Sequence, residues 1–285
     1  MACVGNIFRE FLILALAIKP VEMSYSRYSP LYHLLQYLKK GLNELFYRLH
    51  LTSLTKADLA FLDKLFPYYH GLKPKHKEEF EGKLANFLAS KTIIPRGGLD
   101  KVSREMELLI GATAVMVTFG FRRINLQHFR KILLYPDNYY STINRTYHQG
   151  EVNPRLGIIV LSWKNFLNGF VRPDDGVNLG IHEMAHALKL ENQIRHNKAS
   201  SFFNPEVWEE FKRLAVIQVK EVQKGDIGIF RESAGANLHE FFAVALEVFF
   251  ERPDEFRVKH PELYKTLVYL LQQDPFVLRQ GNQGF

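Results

Sequence analysis

Residues 180–188 read Gly-Ile-His-Glu-Met-Ala-His-Ala-Leu, and this stretch carries most of the information about fold and chemistry. Its side chains favour a helix, on which residues four positions apart project from the same face. Two histidines placed in this way suit two nitrogens that bind one zinc ion. The stretch therefore predicts a metal-binding helix with His182 and His186 as ligands. Glu183, next to the first ligand, is predicted to be the general base that takes a proton from the zinc-bound water.

The third ligand of this site must come from elsewhere in the chain, because a catalytic zinc usually has three protein ligands. No further histidine follows His186 at the spacing of the three-histidine peptidases, so a carboxylate is expected. Glu240 and Glu247 are the candidates, on one apolar stretch. Each also has a role that needs no metal: Glu240 with Asn237 would form a helix capping box, and Glu247 would be a buried ion-pair partner. The residues alone leave this choice open.

The composition of the chain narrows the class of protein. It has 285 residues, of which 47% are hydrophobic, enough to bury a sizeable core. Cys3 is its one cysteine, which excludes an intramolecular disulfide framework and a cysteine-rich zinc cluster, and fits a reducing compartment. The net charge of +7 comes from scattered basic residues, so nucleic-acid binding is not indicated. We therefore expect a cytoplasmic protein whose metal is held by histidine and carboxylate.

The sequence predicts three regions, which are a helical N-terminal extension at residues 1–54, a metallopeptidase domain at 55–275 and a C-terminal tail at 276–285. Leucines between Leu31 and Leu49 recur at spacings of three and four, which predicts one apolar stripe on a helix of the extension. The apolar run at 11–18 has only eight residues, whereas a membrane-spanning helix needs about 20. No transmembrane segment is therefore expected.

Short β-rich runs lie before the metal-binding helix. Residues 131–135 and 157–163 are predicted strands, and residues 146–152 are expected to pair with the second of them. Several further helices are predicted on both sides of these runs. Together these elements predict an α+β fold in which a small, mostly antiparallel sheet packs on the metal-binding helix.

Over residues 55–275 the chain resembles the MtfA-like family of zinc-dependent peptidases, also called glucose-regulated metallopeptidases. The most specific shared elements are the His-Glu-Met-Ala-His run and the segment Glu-Phe-Phe-Ala-Val-Ala-Leu-Glu-Val-Phe-Phe-Glu at residues 240–251. The catalytic core of the family is also similar to that of anthrax lethal factor, whose third zinc ligand lies in the same kind of Glu-Phe-Phe-Ala segment. The resemblance implies a zincin-like fold, a Zn2+ cofactor, and Glu240 rather than Glu247 as the third ligand.

Two positions depart from the pattern of the family. The family commonly carries Asp three residues after the second ligand histidine, where this chain has Lys189. It usually carries Tyr seven residues before the third ligand, where the hydroxyl can donate to the oxyanion, and this chain has Ser233 there. Serine is too short for that reach, so we expect weaker transition-state stabilisation or a donor from elsewhere. Tyr139, Tyr140 and Tyr147 lie upstream, but the sequence does not place them at the metal.

These features support two hypotheses about function from different classes. The first is a zinc peptidase that hydrolyses peptide bonds of a peptide or protein substrate, and the presence of Glu183 favours it. The second is a zinc-containing protein that captures a transcriptional regulator with little turnover, because the family is named for titration of a repressor; Ser233 mildly favours this. For the peptidase, analogy with zincins places one sheet edge beside the cleft; if residues 157–163 form that edge, an extended substrate can add to it by main-chain pairing.

Overall fold

The computed structural model describes residues 54–141, 145–172, 175–196 and 201–279. The predicted leucine-striped helix and the apolar run at 11–18 lie outside these residues, as do residues 280–285 of the predicted tail. The division of the chain at residues 54 and 275 therefore stays a prediction. Among the described helices, none combines the length and the apolar character needed to cross a lipid bilayer.

The described part of the chain forms eleven α-helices and six strands. The helices are α1 (Lys56–Leu65), α2 (Pro67–His70), α3 (Pro74–Ser90), α4 (Arg104–Thr118), α5 (Trp163–Val171), α6 (Leu179–His196), α7 (Pro205–Gln223), α8 (Leu238–Glu251), α9 (Pro253–Lys259), α10 (Pro261–Leu271) and α11 (Pro275–Arg279). The strands are β1 (Thr92–Pro95), β2 (Lys131–Tyr135), β3 (Tyr139–Ser141), β4 (Thr146–His148), β5 (Gly150–Asn153) and β6 (Ile158–Ser162). A short 3-10 helix, Glu232–Gly235, lies between α7 and α8. The α+β class predicted from the sequence is confirmed.

Four of the strands form one mixed sheet in the order β1-β2-β6-β5. β1 pairs with β2 and β2 pairs with β6 in parallel, whereas β5 and β6 are antiparallel. β3 and β4 form a separate antiparallel hairpin. The prediction of a mostly antiparallel sheet is therefore wrong, because two of the three pairings in the main sheet are parallel.

The parallel pairings depend on long connections that a local sequence pattern does not reveal. Parallel neighbours need a crossover of about a dozen residues or more, and α4 lies within the connection between β1 and β2. β1 has only four residues and ends in a proline, so the sequence pattern predicts no strand there. The expected partner of β6 is confirmed in part, since residues 150–153 pair with it and residues 146–148 pair with β3.

The sheet edge beside the predicted metal-binding helix is β5, so the condition that residues 157–163 form this edge is not met. β6 lies between β2 and β5, so both of its sides are paired. β5 is the last strand of the sheet and contacts α6. The outer side of an edge strand carries backbone groups that can pair with another chain. The edge at which a peptide can add is thus one strand further out than the sequence suggests.

The metal-binding helix α6 packs between α4 and α8 and also contacts the sheet. Its apolar residues Met184, Ala185 and Leu188 are fully buried. Residues 241–251 of α8 are all buried. Burial of each large apolar side chain contributes roughly 1.5–3 kcal/mol, so this packing holds α6 and α8 in a fixed relation. Side chains that project from both helices toward one point are therefore well positioned.

Candidate metal centre

The side chains of His182, His186 and Glu240 come together where α6 meets α8. Each offers one ligand atom, and the three atoms lie within 4.8 Å of one another. The Nε2 atoms of the two histidines are 3.0 Å apart, and each lies 3.4 Å from an oxygen of Glu240. Both histidines project from one face of α6 because they are about one turn apart. The structure thus brings together the three residues that are predicted as ligands.

The separations between these atoms fit a tetrahedral metal site. Two nitrogens that bind one zinc at about 2.0–2.1 Å with tetrahedral angles would be roughly 3.3 Å apart, and a nitrogen and a carboxylate oxygen would be about as far apart. The observed separations of 3.0, 3.4 and 3.4 Å are close to these values. Two histidines and one glutamate are also a known donor set of catalytic zinc, with a fourth position open to water. The residues present therefore fit a zinc ion.

Without a bound cation, burial and the contacts among the three side chains shift the pKa values of all three. Burial opposes a charge on His182, but hydrogen bonds to Glu240 and Glu247 outweigh it and raise the pKa of His182 to about 9. Hydrogen bonds from both histidines hold the pKa of Glu240 far below its usual range. Burial lowers the pKa of His186. Glu240 is therefore ready to bind a cation at neutral pH, whereas a metal must displace a proton from His182, so its affinity falls in acid.

Glu247, the competing candidate for the third ligand, lies behind His182. Its Oε1 accepts a hydrogen bond from Nδ1 of His182 at 2.7 Å, on the ring edge opposite Nε2. The side chain is fully buried, and its other oxygen accepts from the backbone N–H of Asn178 at 2.6 Å. A carboxylate on Nδ1 fixes the tautomer in which Nε2 carries the free lone pair, and makes that nitrogen more basic. This geometry favours a supporting role for Glu247 over a ligand role.

Glu251, one turn further along α8, holds the start of α6 in place. Its carboxylate accepts from Nδ2 of Asn178 at 2.9 Å and from the backbone N–H of Gly176 at 3.0 Å. Asn178 in turn caps α6, because its Oδ1 accepts from the N–H of Ile181 at 3.0 Å. Burial raises the pKa of Glu251 to about 7. Glu247 and Glu251 thus tie the beginning of the metal-binding helix to α8.

Glu183 projects from α6 toward the edge strand β5 and is only 5% exposed. A Cβ added to Gly150 would lie 2.5 Å from Oε1 of Glu183, so a glycine is needed here to leave room for the carboxylate. Burial raises the pKa of Glu183 to about 7; the charge of His182 opposes the rise, and Glu240 and Glu247 add to it. A carboxyl group with this pKa can take up and release a proton near neutral pH.

His186 has no equivalent of the support that His182 receives from Glu247. Within the described part of the chain, its Nδ1 is buried and has no hydrogen-bond partner. Its ring stacks on that of His239 with 4.0 Å between the centroids, and Nζ of Lys189 lies 3.1 Å from Nδ1 of His239. Burial lowers the pKa of Lys189 to about 8. Because lysine has no acceptor, Lys189 cannot replace the aspartate that the family resemblance leads one to expect behind this ligand.

Replacing Lys189 with Asp is expected to tighten zinc binding by about tenfold or more, the usual effect of a carboxylate behind a ligand histidine. The aspartate would give the buried Nδ1–H of His186 an acceptor. Lys189→Met is the matched control, because it removes the charge and supplies no acceptor. Competition with a chelating dye measures the zinc affinity of both variants. Equal affinities in the Asp and Met variants would mean that the lysine charge, and not the lacking acceptor, limits binding.

Ser233 and the three upstream tyrosines do not supply an evident oxyanion donor. The Oγ of Ser233, which lies in the 3-10 helix, is buried and makes no hydrogen bond to any described residue. Tyr140 and Tyr147 are 52% and 71% exposed on the β3–β4 hairpin. The hydroxyl of Tyr139 donates to Glu151 on β5 at 3.1 Å. Within the described residues, no hydrogen bond joins these hydroxyl groups to the three predicted ligands.

Two residues of the centre, Arg231 and His239, are not evident in the sequence. An amino group of Arg231 donates to Oε1 of Glu247 and lies 2.9 Å from Nδ1 of His182. His239 stacks on His186, and its position directly before Glu240 is a signal that could have been used. Arg231 belongs to no spaced pattern, so its place in the site follows only from the path of the chain before α8.

Comparisons with known proteins find similarity to a family of metallo-peptidases. Residues 44–272 match the family model described as glucose-regulated metallo-peptidase M90, and the match includes every residue of the centre. The chain is 28% identical over 223 residues to an uncharacterised protein of Synechocystis sp., covering 73% of this chain and 80% of the relative. It is 27% identical over 220 residues to Mlc titration factor A of Enterobacter sp., covering 70% and 80%. The same factor of Cronobacter sakazakii is 26% identical over 232 residues, covering 74% and 84%.

Proposed function

Because the chain belongs to the glucose-regulated metallo-peptidase family M90, we propose that it is a zinc-dependent peptidase. His182, His186 and Glu240 hold the zinc ion in this proposal, and Glu183 is the general base. The observation that carries it is the convergence of the three side chains: the two Nε2 atoms are 3.0 Å apart, and each lies 3.4 Å from a different carboxylate oxygen of Glu240, which suits one tetrahedral ion. The family name implies a metal cofactor, and the donor set favours zinc among the common ions.

The residues of the site divide the work of hydrolysis. When bound, zinc supplies a water molecule of lowered pKa and polarises the scissile carbonyl. Glu183 accepts a proton from that water on its carboxylate and delivers it to the nitrogen of the leaving amine. Burial raises the pKa of Glu183, and a nearby divalent cation would favour the carboxylate form that accepts the proton. Glu247 keeps His182 in the tautomer that directs Nε2 toward the other ligands.

The edge strand β5 is the proposed site for the backbone of the substrate. β5 is the last strand of the sheet, and Gly150 on it lies against Glu183. An extended peptide that adds to the outer side of β5 by main-chain hydrogen bonds would therefore run past the general base. The edge strand β5 lies beside α6, and α8, which carries the proposed third ligand, packs on another side of α6. This arrangement supports a zincin-like fold.

A second candidate function is a zinc-containing protein that binds a transcriptional regulator with little turnover. Two of the relatives are named Mlc titration factor A, and the names connect those proteins with Mlc. Ser233 and Lys189 favour this candidate, because both replace groups that would assist the chemistry or the metal. Glu183 favours the peptidase, because a purely structural zinc site needs no base beside it.

Removing the metal is expected to abolish hydrolysis and to lower the melting temperature. The purified protein should contain one zinc per chain, and a chelator should stop cleavage of a peptide library until zinc is restored. At free zinc about 100 times Kd, binding stabilises the fold by about 2.7 kcal/mol, which corresponds to roughly 5–10 °C in a domain of this size. A zinc-loaded protein that cleaves no peptide but retains a repressor on a column would replace the first candidate with the second.

A further inference from the structure

A cavity of about 360 Å³ opens beside His182 and Glu183, on the side of the proposed zinc site that faces Glu247. This volume is near the lower end of the roughly 300–1,000 Å³ that ligand sites occupy. It suits one amino-acid residue of a peptide better than a large ligand. Three side-chain amides, Gln149, Asn165 and Asn168, form part of its wall. Such neutral polar groups can orient a bound peptide without selecting for its charge.

Arg231 is the one lysine or arginine among the residues that line this cavity. One of its amino groups donates to Oε1 of Glu247, which is itself fixed by His182 and by the N–H of Asn178. The Nε of Arg231 is buried and has no hydrogen-bond partner among the residues that the structure describes, and 34% of the side chain is exposed. A guanidinium has five N–H donors in a rigid fork. Arg231 is therefore held at one end and retains donors for a ligand.

The charges around the cavity show what Arg231 contributes. A divalent cation on the proposed ligands and the guanidinium of Arg231 together carry three positive charges. They oppose the negative charge of the nearby carboxylates Glu183, Glu240 and Glu247. Arg231 therefore lowers the repulsion that these carboxylates exert on an incoming anion. Within the wall of this cavity, Arg231 is the group that makes binding of an anion possible.

Arg231 lies beside one edge of the His182 ring, and the scissile carbonyl would bind beside the other edge. The guanidinium approaches Nδ1 of His182, whereas Nε2, on the opposite edge of the ring, faces His186 and Glu240. A carbonyl bound at the metal would lie on the Nε2 side. Arg231 therefore reaches the site from the Nδ1 edge of His182, away from the side on which the scissile carbonyl would bind. It can instead reach a group of the substrate that flanks the scissile bond.

We propose that Arg231 determines specificity by binding a carboxylate of the substrate in this cavity, and this inference rests on the proposed peptidase function. The carboxylate is either the C-terminal one of a peptide or the side chain of an Asp or Glu near the scissile bond. Hydrogen bonds between arginine and carboxylate are charge-assisted and about twice as strong as neutral ones. The protein thus selects peptides that carry an anion beside the bond to be cut.

Matched peptides test this proposal. The two peptides of each pair have the same sequence except for one group. In one kind of pair the C-terminus is free or amidated; in the others one position carries Asp or Asn, or Glu or Gln. The wild-type protein loaded with zinc should prefer the carboxylate member by about tenfold or more in kcat/KM, the usual effect of one hydrogen bond to a charged group. The preferred pair identifies the source of the carboxylate. In Arg231→Met this ratio should fall to about one, and Arg231→Lys should retain part of it.

Controls separate recognition from a structural role of Arg231. Arg231→Met takes away the guanidinium that donates to buried Glu247, so the double variant Arg231→Met/Glu247→Gln restores the local balance of charge. Arg213→Met removes an equal charge from an exposed ion pair with Glu210 on α7 and should leave the ratio unchanged. A purely structural role of Arg231 would slow both members of a pair equally. Only recognition of the carboxylate changes their ratio.

Binding affinities distinguish failure of this inference from failure of the peptidase function. The same pairs are titrated into zinc-loaded Glu183→Gln, with and without Arg231→Met. If the wild-type protein cleaves no peptide but the carboxylate member binds about tenfold more tightly through Arg231, the peptidase function fails and carboxylate recognition stands. Equal Kd and equal kcat/KM for both members in the wild-type protein overturn the inference. A preference that survives Arg231→Met overturns it as well.

Discussion

Replacing Glu240 with Ala is expected to remove most of the zinc from the protein, because a site with three protein ligands has none to spare. The two carboxylate oxygens of Glu240 lie 3.4 Å from Nε2 of His182 and of His186, so one truncation takes away the whole third side of the site. We expect a fall in affinity beyond the roughly 10–100-fold that follows loss of a supporting residue. Metal analysis after dialysis against buffered zinc measures this loss.

Glu247→Ala is the matched comparison, because it truncates a glutamate on the same helix that contacts the opposite edge of His182. It should weaken zinc binding by about 10–100-fold and still allow one zinc per chain at saturation. Glu247→Gln should weaken zinc binding less than Glu247→Ala does, because an amide oxygen can still accept a hydrogen bond from Nδ1 of His182. Full zinc retention in Glu240→Ala together with loss in Glu247→Ala would assign the ligand role to Glu247.

The two possible roles of Glu240 show what can and what cannot be predicted from the sequence. The sequence pattern is consistent with two roles for Glu240, as part of a capping box with Asn237 or as a metal ligand. The structure contains only the Asn237 half of the capping box. Asn237 caps α8, since its Oδ1 accepts from the N–H groups of His239 and Glu240. The carboxylate of Glu240 points instead to the two histidines. The local motif therefore correctly predicts where the helix begins, and long-range packing determines where the carboxylate goes.

Features of the fold that depend on contacts distant in sequence could not be predicted. The spacing of His182 and His186 is local, so the metal-binding helix is visible in the sequence. The sheet order depends instead on which strands the crossover through α4 brings together, and β1 is too short to be recognised. For the same reason, the sequence does not reveal which strand forms the edge of the sheet. Arg231 reaches the site only because the chain turns back from α7 toward α8, and no spacing rule encodes that turn.

Replacing Glu183 with Gln is expected to leave the zinc content unchanged and to lower kcat by about 10²–10⁴, the usual contribution of a general acid–base group. Glutamine fills the same buried space, but its amide cannot take a proton from water. Zinc content and cleavage of a peptide library should be measured on the same preparation. An unchanged rate would remove Glu183 from the mechanism and favour a protein that does not hydrolyse its partner.

Gly150→Ala tests the same group without changing its chemistry. The added Cβ would lie 2.5 Å from Oε1 of Glu183 and 2.6 Å from its Cδ and Cγ, so the whole buried carboxylate must move. A displacement of about 1 Å at a reacting group can cost on the order of 10² in rate. We therefore expect Gly150→Ala to keep its zinc and to lose activity in kcat. Wild-type activity in this variant would mean that the carboxylate is not held against β5 during catalysis. Loss of zinc would instead show that the substitution disturbs α6, because neither Gly150 nor Glu183 is a proposed ligand.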